Sequence, residues 1–328
     1  MSIKLKKSNI SLRSILDRTL FGSSYVVLLL VLCIIASILS PTFFTLSNLL
    51  NLIAQTVPFF IIGAGQTLVI ILTGVDLSMG PVGTIGALVA GSMLIKGDSI
   101  LLSILTALAI GAGFGLLNGL IITKVKINAF IATFGVSFIA TGMLSWYFVK
   151  RLIFGFPESF RFLCVGRIGK FPFVIIIGVL VFLILYLLSH YTKLGRSIYS
   201  VGSNPIASEI SGINTDKVVI IVYIISGLCA ALSVLLFMGR VNTSTSAAAE
   251  NLRGISIAVA LLGGASFSGG IGSIEGAAIG AFIITLLSNI VNLIGISLLW
   301  QTLITGVAII LVMLSNKMLA KRGGVINY

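Results

Sequence analysis

The chain is poor in charge. Charged residues make up 9% of its 328 positions, and only eight of them are acidic. Soluble domains carry roughly a quarter charged residues, so this composition excludes an ordinary water-soluble fold. It holds a single histidine, His190, and three scattered cysteines, Cys33, Cys164 and Cys229. That set offers no metal-ligand spacing and no disulfide framework, and the cysteines read as small apolar fillers. No paired carboxylates, His/Cys cluster or nucleophile with a base stands out, so intramembrane catalysis has no residues to carry it. A phosphate-cradling Gly-x-x-x-x-Gly-Lys-Ser/Thr loop is missing too, since Gly169-Lys170 runs on into Phe171. The chain by itself is therefore not expected to be an enzyme or to hydrolyse ATP, and no cofactor is expected in it. Ion-coupled transport would want an acidic or histidine relay inside the spans, and the eight acids all read as lying at or near helix ends.

What the chain has in quantity is apolar length, with 58% hydrophobic residues and a mean hydropathy of +1.20. A crossing takes roughly 20 apolar residues. That rule divides the chain into ten: 25–39, 49–72, 79–95, 100–122, 129–149, 172–189, 218–238, 255–262, 274–293 and 298–315. The second carries Pro58, Gly63 and Gly65 and is expected to kink or break. The third and eighth are short or rich in glycine, so they either span or re-enter. This is an all-α polytopic membrane protein of one domain, 1–328, with a basic N-terminal segment, 1–22, read as the flank of a retained first helix.

The balance of 21 Lys+Arg against 8 Asp+Glu would suggest nucleic acid in a soluble protein. Here it follows topology instead. With both termini in the cytoplasm, the inner intervals hold 13 basic residues and the outer ones 8, as the positive-inside rule requires, and the excess attracts anionic lipid. The loop from Lys150 to Lys170 is the exception: either a folded external cap that meets an acidic partner or a mid-chain loop that obeys the rule poorly.

The spans also hold uncharged polar residues. Most of these read as interhelical contacts, while a minority, Gln55, Gln66, Asn118, Asn289 and Asn292 among them, are candidates to line a path for a neutral polyhydroxyl solute. Two glycine-rich stretches correspond at one offset of 190, at which Gly74, Ser78, Gly80, Gly86 and Ala87 coincide with Gly264, Ser268, Gly270, Gly276 and Ala277. Both run in the same direction through the ten-span order, which implies a parallel repeat of two halves. Asp76 and Ser78 are N-cap candidates for the helix that follows, with a position beside the path or inner gate as the alternative. Between the sixth and seventh spans lies the longest inner interval, 191–217. From Pro205 to Ile210 it reads as a short helix, with Asn204 as N-cap and Gly212 just past the end. Such a helix is suited to a partner's groove.

These residues resemble the permease subunits of ATP-binding-cassette importers for simple sugars, the ribose- and autoinducer-2-type group. The interval matches the family's coupling segment at Thr192, Gly195, Arg196, Gly202, Asn204, Ala207, Ser211, Gly212 and Ile213. Gly74-Val75-Asp76-Leu77-Ser78 with Gly80 is similar to its Gly-Gly-Ile-Asp-Leu-Ser-Val-Gly signature, with Thr73 in place of the first glycine. Gly263, Gly264, Ala265 and Ser266 with Gly269, Gly270 and Gly272 resemble its second glycine-rich signature. The resemblance implies a fold like that of the vitamin B12 importer's membrane subunit. It also implies a bacterial inner-membrane assembly of two permeases, identical or paralogous, with a cytoplasmic ATPase that binds ATP and magnesium and an external solute-binding protein. In that reading the segment from Gly195 to Ile213 docks into the ATPase. Pro205 and Ile206 replace a commoner Glu-Ala pair, and Arg253 aligns where an acid is frequent, which bears on partner and substrate. A branched-chain amino acid or other small-solute permease and a passive channel subunit are the competing readings.

Overall fold

A computed structural model describes residues 29–148, 153–244 and 248–295, with isolated positions beyond them. The helices are α1 (Leu29–Leu39), α2 (Leu46–Ile71), α3 (Met79–Lys96), α4 (Ile100–Leu120), α5 (Ala129–Met143), α6 (Glu158–Val165), α7 (Phe173–Tyr191), α8 (Lys193–Ser203), α9 (Pro205–Ile210), α10 (Thr215–Val241), α11 (Ala248–Leu262) and α12 (Ile274–Ile294). Four two-residue strands, β1 (Ile153–Phe154), β2 (Arg167–Ile168), β3 (Phe171–Pro172) and β4 (Thr243–Ser244), form two small antiparallel pairs, β1 with β4 and β2 with β3. Among the described residues, seven helices are long and apolar enough to cross a membrane. The third expected span is one of them: α3 has 18 residues, about 27 Å of helix, and most of it is buried. The eighth starts earlier than expected, at Ala248. The tenth, and the N-terminal segment 1–22, lie outside the described residues.

α2 is the hub, packed against α7, α10, α11 and α12. Of the expected kink or break at Pro58, the break does not occur: Leu46–Ile71 is a single helix. Gly63 and Gly65 serve packing instead: a Cβ on Gly63 would collide with the Val259 side chain, and one on Gly65 would come within 2.8 Å of Cys229. The Pro58 carbonyl accepts from Ser233 Oγ on α10 at 2.6 Å, a polar tie between the two helices.

Helices in lipid gain little from hiding apolar surface from each other, so close backbone approach has to hold them. α4 and α10 meet this way. Gly111, Gly115 and Gly119 lie on one face of α4, and a Cβ on any of them would run into the α10 backbone at Gly227, Tyr223 with Ile224, or Ile220.

The basic loop between the fifth and sixth expected spans is folded into a cap at the ends of α3 and α10. Phe156 and Phe160 meet edge to face at 5.7 Å and are buried beside Gly91 of α3 and Gly239 of α10. Burial pushes the Cys164 thiol up to about 12, against the opposing pull of Arg161. Arg167 is exposed and its Nη2 donates to Asn51 Oδ1 of α2 at 2.8 Å. Lys150 and Arg151 lie outside the described residues.

Candidate functional site at the glycine turns

The opposite end of the bundle gathers three segments that the sequence keeps far apart: the 72–78 turn between α2 and α3, the 263–273 turn between α11 and α12, and α8–α9. The region from Lys193 to Ser203 forms α8, a helix not anticipated from the sequence. Thr192 starts it, its Oγ1 accepting from Gly195 N–H at 3.1 Å. Gly195 lies so close to the end of α7 that a Cβ would strike the carbonyls of Leu188 and Ser189. Ile198, Val201 and Gly202 are buried and Arg196 is exposed.

α9 agrees with the expectation. Asn204 caps it, Oδ1 accepting from Ala207 N–H at 3.0 Å, and Pro205 occupies the first turn. Gly212 ends it with φ 84, while Ile213 N–H reaches back to the Ser208 carbonyl at 3.0 Å and Ser211 Oγ donates to the Ala207 carbonyl at 2.8 Å. Ala207 is exposed, and Ile206 and Ile210, one turn apart, stand out at 72% and 83% exposure.

α8 is wedged against both turns. Gly270 N–H donates to the Ile71 carbonyl at 2.8 Å, which ties the second turn to the first. Gly202 lies beneath that bond, since a Cβ there would strike the Ile71 carbonyl and come within 2.9 Å of Gly270 N. Tyr199 donates its hydroxyl to the Gly272 carbonyl at 3.0 Å. Burial, and then the nearby Glu275 carboxylate, hold that phenol above its ordinary pKa. His190 Nε2, at the end of α7, stands 3.5 Å from Glu275 Oε1 at the start of α12.

The first turn is built around Asp76, which is 1% exposed. Its Oδ1 accepts from Ser78 N–H at 2.9 Å and from Ser78 Oγ at 2.6 Å, and its Oδ2 accepts from Ser226 Oγ of α10 at 2.7 Å. Asn118 Nδ2 of α4 donates to Ser78 Oγ at 2.8 Å, and Thr133 of α5 donates to the Val75 carbonyl at 2.9 Å. With its amide oriented to suit, Gln66 brackets the Asp76 backbone, donating to its carbonyl at 3.1 Å and accepting from its N–H at 3.2 Å. This corrects the expected capping roles. Ser78 holds the cap position of α3 but makes no side-chain cap bond, because its hydroxyl is committed to Asp76. Asp76 in turn joins the turn to α10 as well as to Ser78. Asp76 does lie near a helix end, as expected, but its burial, in a turn bonded by side chains from α2, α4, α5 and α10, was not anticipated.

The remaining predicted residues are dispersed. Gly74 and Gly80 are buried, and the Gly80 carbonyl accepts from Thr84. Gly263 and Gly276 touch, each where the other's Cβ would be. Gly264 and Gly269 have φ of 85 and 82. Of the path candidates, Gln66 and Asn118 belong to the first turn. Asn289 exchanges amide bonds with Asn48 at 3.1 and 3.4 Å, Gln55 is half-buried in α2, and Asn292 is exposed near the end of α12. Arg253 Nη2 donates to Ser137 Oγ of α5 at 2.7 Å. The constant offset of 190 does not carry through the folded units. The helices before the turns end at Ile71 and Leu262 and those after begin at Met79 and Ile274, because the second turn is four residues longer.

A family model described as branched-chain amino acid transport system / permease component matches residues 48–313. The ribose import permease protein of Escherichia coli K12 is 38% identical over 294 residues, 88% of this chain and 92% of its own. That of Bacillus subtilis 168 is 37% identical over 88% and 90% of the two chains, and the galactose/methyl galactoside import permease protein of Escherichia coli K12 is 33% identical over 88% and 91%. No solved structure matches the chain. The matched region takes in both turns, α8–α9 and every described helix from α2 to α12, and on that extent the chain belongs to this family of transport-system permease components.

Proposed function

We propose that the chain is the membrane-spanning subunit of an ATP-binding-cassette importer for a simple sugar, of the ribose or galactose kind. The observation that carries the reading is the build of the end holding the two turns. α9 presents Ile206 and Ile210 outward from a short helix capped at both ends, while α8 is wedged under both turns. A partner that grips α9 therefore moves the ends of α2, α3, α11 and α12. Apolar anchors one turn apart suit a helix laid into a groove. The partner is a cytoplasmic ATPase that holds ATP and magnesium, with Gly195, Arg196, Gly202, Asn204, Ala207, Ser211, Gly212 and Ile213 forming or shaping the contact. A second permease copy or paralogue completes the path, an external binding protein delivers the sugar, and nucleic acid has no part. In this reading ten crossings, arranged as in the vitamin B12 importer's membrane subunit, leave both termini in the cytoplasm of a bacterium's inner membrane. The relatives named for ribose and galactose import support a sugar over a branched-chain amino acid.

The test is uptake of labelled ribose, galactose and leucine by proteoliposomes holding the permease, its ATPase and its binding protein. Uptake of a sugar is expected to require ATP and to stop when the ATPase's Walker lysine is replaced. Ile206→Asp with Ile210→Asp is expected to cut ATPase retention on the permease at least tenfold without changing the permease's own unfolding temperature. ATP-independent sugar uptake, or uptake of leucine alone, overturns the reading.

A further inference from the structure

Asp76 is the only buried carboxylate among the described residues. Its bond to Ser226 reaches α10, and one turn before Ser226 on the same face stands Tyr223. The Tyr223 hydroxyl is buried and has no hydrogen-bond partner. It hangs over the same turn as Asp76, since a Cβ on Gly74 would lie 2.6 Å from it. A buried hydroxyl without a partner is costly and calls for a reason.

The Asp76–Ser226 bond is reached from α8–α9 by two separate routes. α8 braces the turn through Gly202, Ile71 and Gly270, whereas α9 runs through Ile213 and Asn214 directly into the start of α10. Any displacement of α9 relative to α8 becomes a displacement of α10 relative to the turn. Room exists for it: a cleft of about 340 Å³ opens beside the turn, with Leu72, Thr73 and Gly74 on one wall and Lys126, Val219 and Tyr223 among the others. Packed interfaces change by switching between discrete arrangements, not by continuous deformation.

We propose that Asp76 is a two-position latch, accepting from Ser226 in the arrangement seen here and from Tyr223 in the other arrangement of the transport cycle. Ser78 holds the second carboxyl oxygen throughout, so the buried carboxyl group keeps its donors as α10 moves. Ser226 and Tyr223 are positioning residues, each favouring one arrangement. The inference rests on the chain's reading as an importer permease.

The decisive variant is Tyr223→Phe in the complete importer in nanodiscs, because it deletes only a hydroxyl that has no partner in the arrangement seen here. Its unfolding temperature is expected to hold or rise without nucleotide and to fall by a few degrees in the complex trapped with ATP and vanadate. Sugar uptake per ATP is expected to fall about tenfold. Ser226→Ala is expected to shift the two temperatures in the opposite sense, with rescue by Ser226→Thr. If Tyr223→Phe gains stability in both states and transports normally, the hydroxyl is a packing remnant and the latch is overturned. If wild-type uptake ignores ATP, the permease reading fails, and the latch fails with it.

Discussion

The two glycine-rich turns do the same topological work at the same end of the bundle, but they are held by different means. The 72–78 turn is held by side chains: Asp76, Ser78, Gln66, Asn118, Thr133 and Ser226 all bond to it or within it, and a single residue, Thr73, has positive φ. The 263–273 turn is held mostly by backbone, with the Tyr199 hydroxyl of α8 on the Gly272 carbonyl as its side-chain tie to another element. Gly264, Gly269, Gly270 and Gly272 all have positive φ, and its ties run from Ser266 N–H to the Ile271 carbonyl at 3.1 Å and from Gly270 N–H to the Ile71 carbonyl at 2.8 Å. A turn fixed by side chains is anchored to named helices, and one residue can release it. A turn fixed by backbone is shaped by its glycines and is anchored to whatever lies against it, here the first turn and α8.

The largest effect should therefore come from Asp76→Ala. It leaves the Ser78 N–H, the Ser78 hydroxyl and the Ser226 hydroxyl without their acceptor inside the protein. An unsatisfied buried donor costs roughly 1–3 kcal/mol, and with partial relaxation the three together should cost about 3–5 kcal/mol. Thermal unfolding in detergent reads the loss. Asp76→Asn keeps an acceptor oxygen and should recover more than half of it. Ser266→Ala in the second turn, which removes only a bond from Ser268 N–H at 3.2 Å, should cost under about 1 kcal/mol. Equal losses from the Asp76→Ala and Ser266→Ala changes would erase the contrast between the turns.

The mirror experiment is Gly270→Ala. At φ 68 an L residue pays about 1–2 kcal/mol, and its Cβ would meet Ser203 Oγ. The expected loss is about 2–3 kcal/mol in the same unfolding measurement, with overpacking adding to the strain. Ser203→Gly in the same chain removes the Oγ collision but also the Ser203 bond to the Tyr199 carbonyl, so the double variant measured against Ser203→Gly alone reads the backbone strain. A loss that vanishes in the double variant would mean that the glycine is required for space and not for its conformation.

Local signals were legible in the sequence where they were sufficient. Asn204, Pro205 and Gly212 bound α9 within a few residues of each other, and each acts locally: Asn204 through its side-chain cap, Pro205 through its fixed φ and Gly212 through a left-handed φ. For α8 the helical spacing of Leu194, Ile198 and Val201 among Lys193, Arg196, Ser197 and Ser200 is in the sequence, but what that apolar face packs on, two turns far away along the chain, is not. The burial of Asp76 was hidden for a related reason, since Ser226 lies 150 positions away and Asn118 lies 42 beyond it along the chain. Pro58 weighed less than its local signal suggests. It signals a break or a kink, yet the helix runs unbroken through it, and the nearby glycines are spent on packing. The repeat was visible as matched glycines, yet the longer second turn displaces the helices that follow.

The smallest effect, and the finest discriminator, is Thr73→Gly. Thr73 has φ 61, a conformation that a β-branched residue rarely adopts, at the position where the resembling signature carries glycine. Relief of that strain should contribute about 1–2 kcal/mol. Against it stand the greater backbone freedom that glycine loses on folding, about 0.5–1 kcal/mol, and the loss of the Thr73 methyl, which occupies the space beside Gly269. The hydroxyl adds little to the balance, since it donates only to the neighbouring Leu72 carbonyl at 2.6 Å. The net should be a gain of under about 1 kcal/mol, seen as a rise of a few degrees at most in the unfolding temperature. The sign is what matters. A gain means that the first turn keeps its shape through Asp76 and its partners and merely tolerates Thr73. A loss means that the Thr73 methyl, pressed against the second turn, helps to hold the two together, and the first turn would then depend on its neighbour as much as the second does.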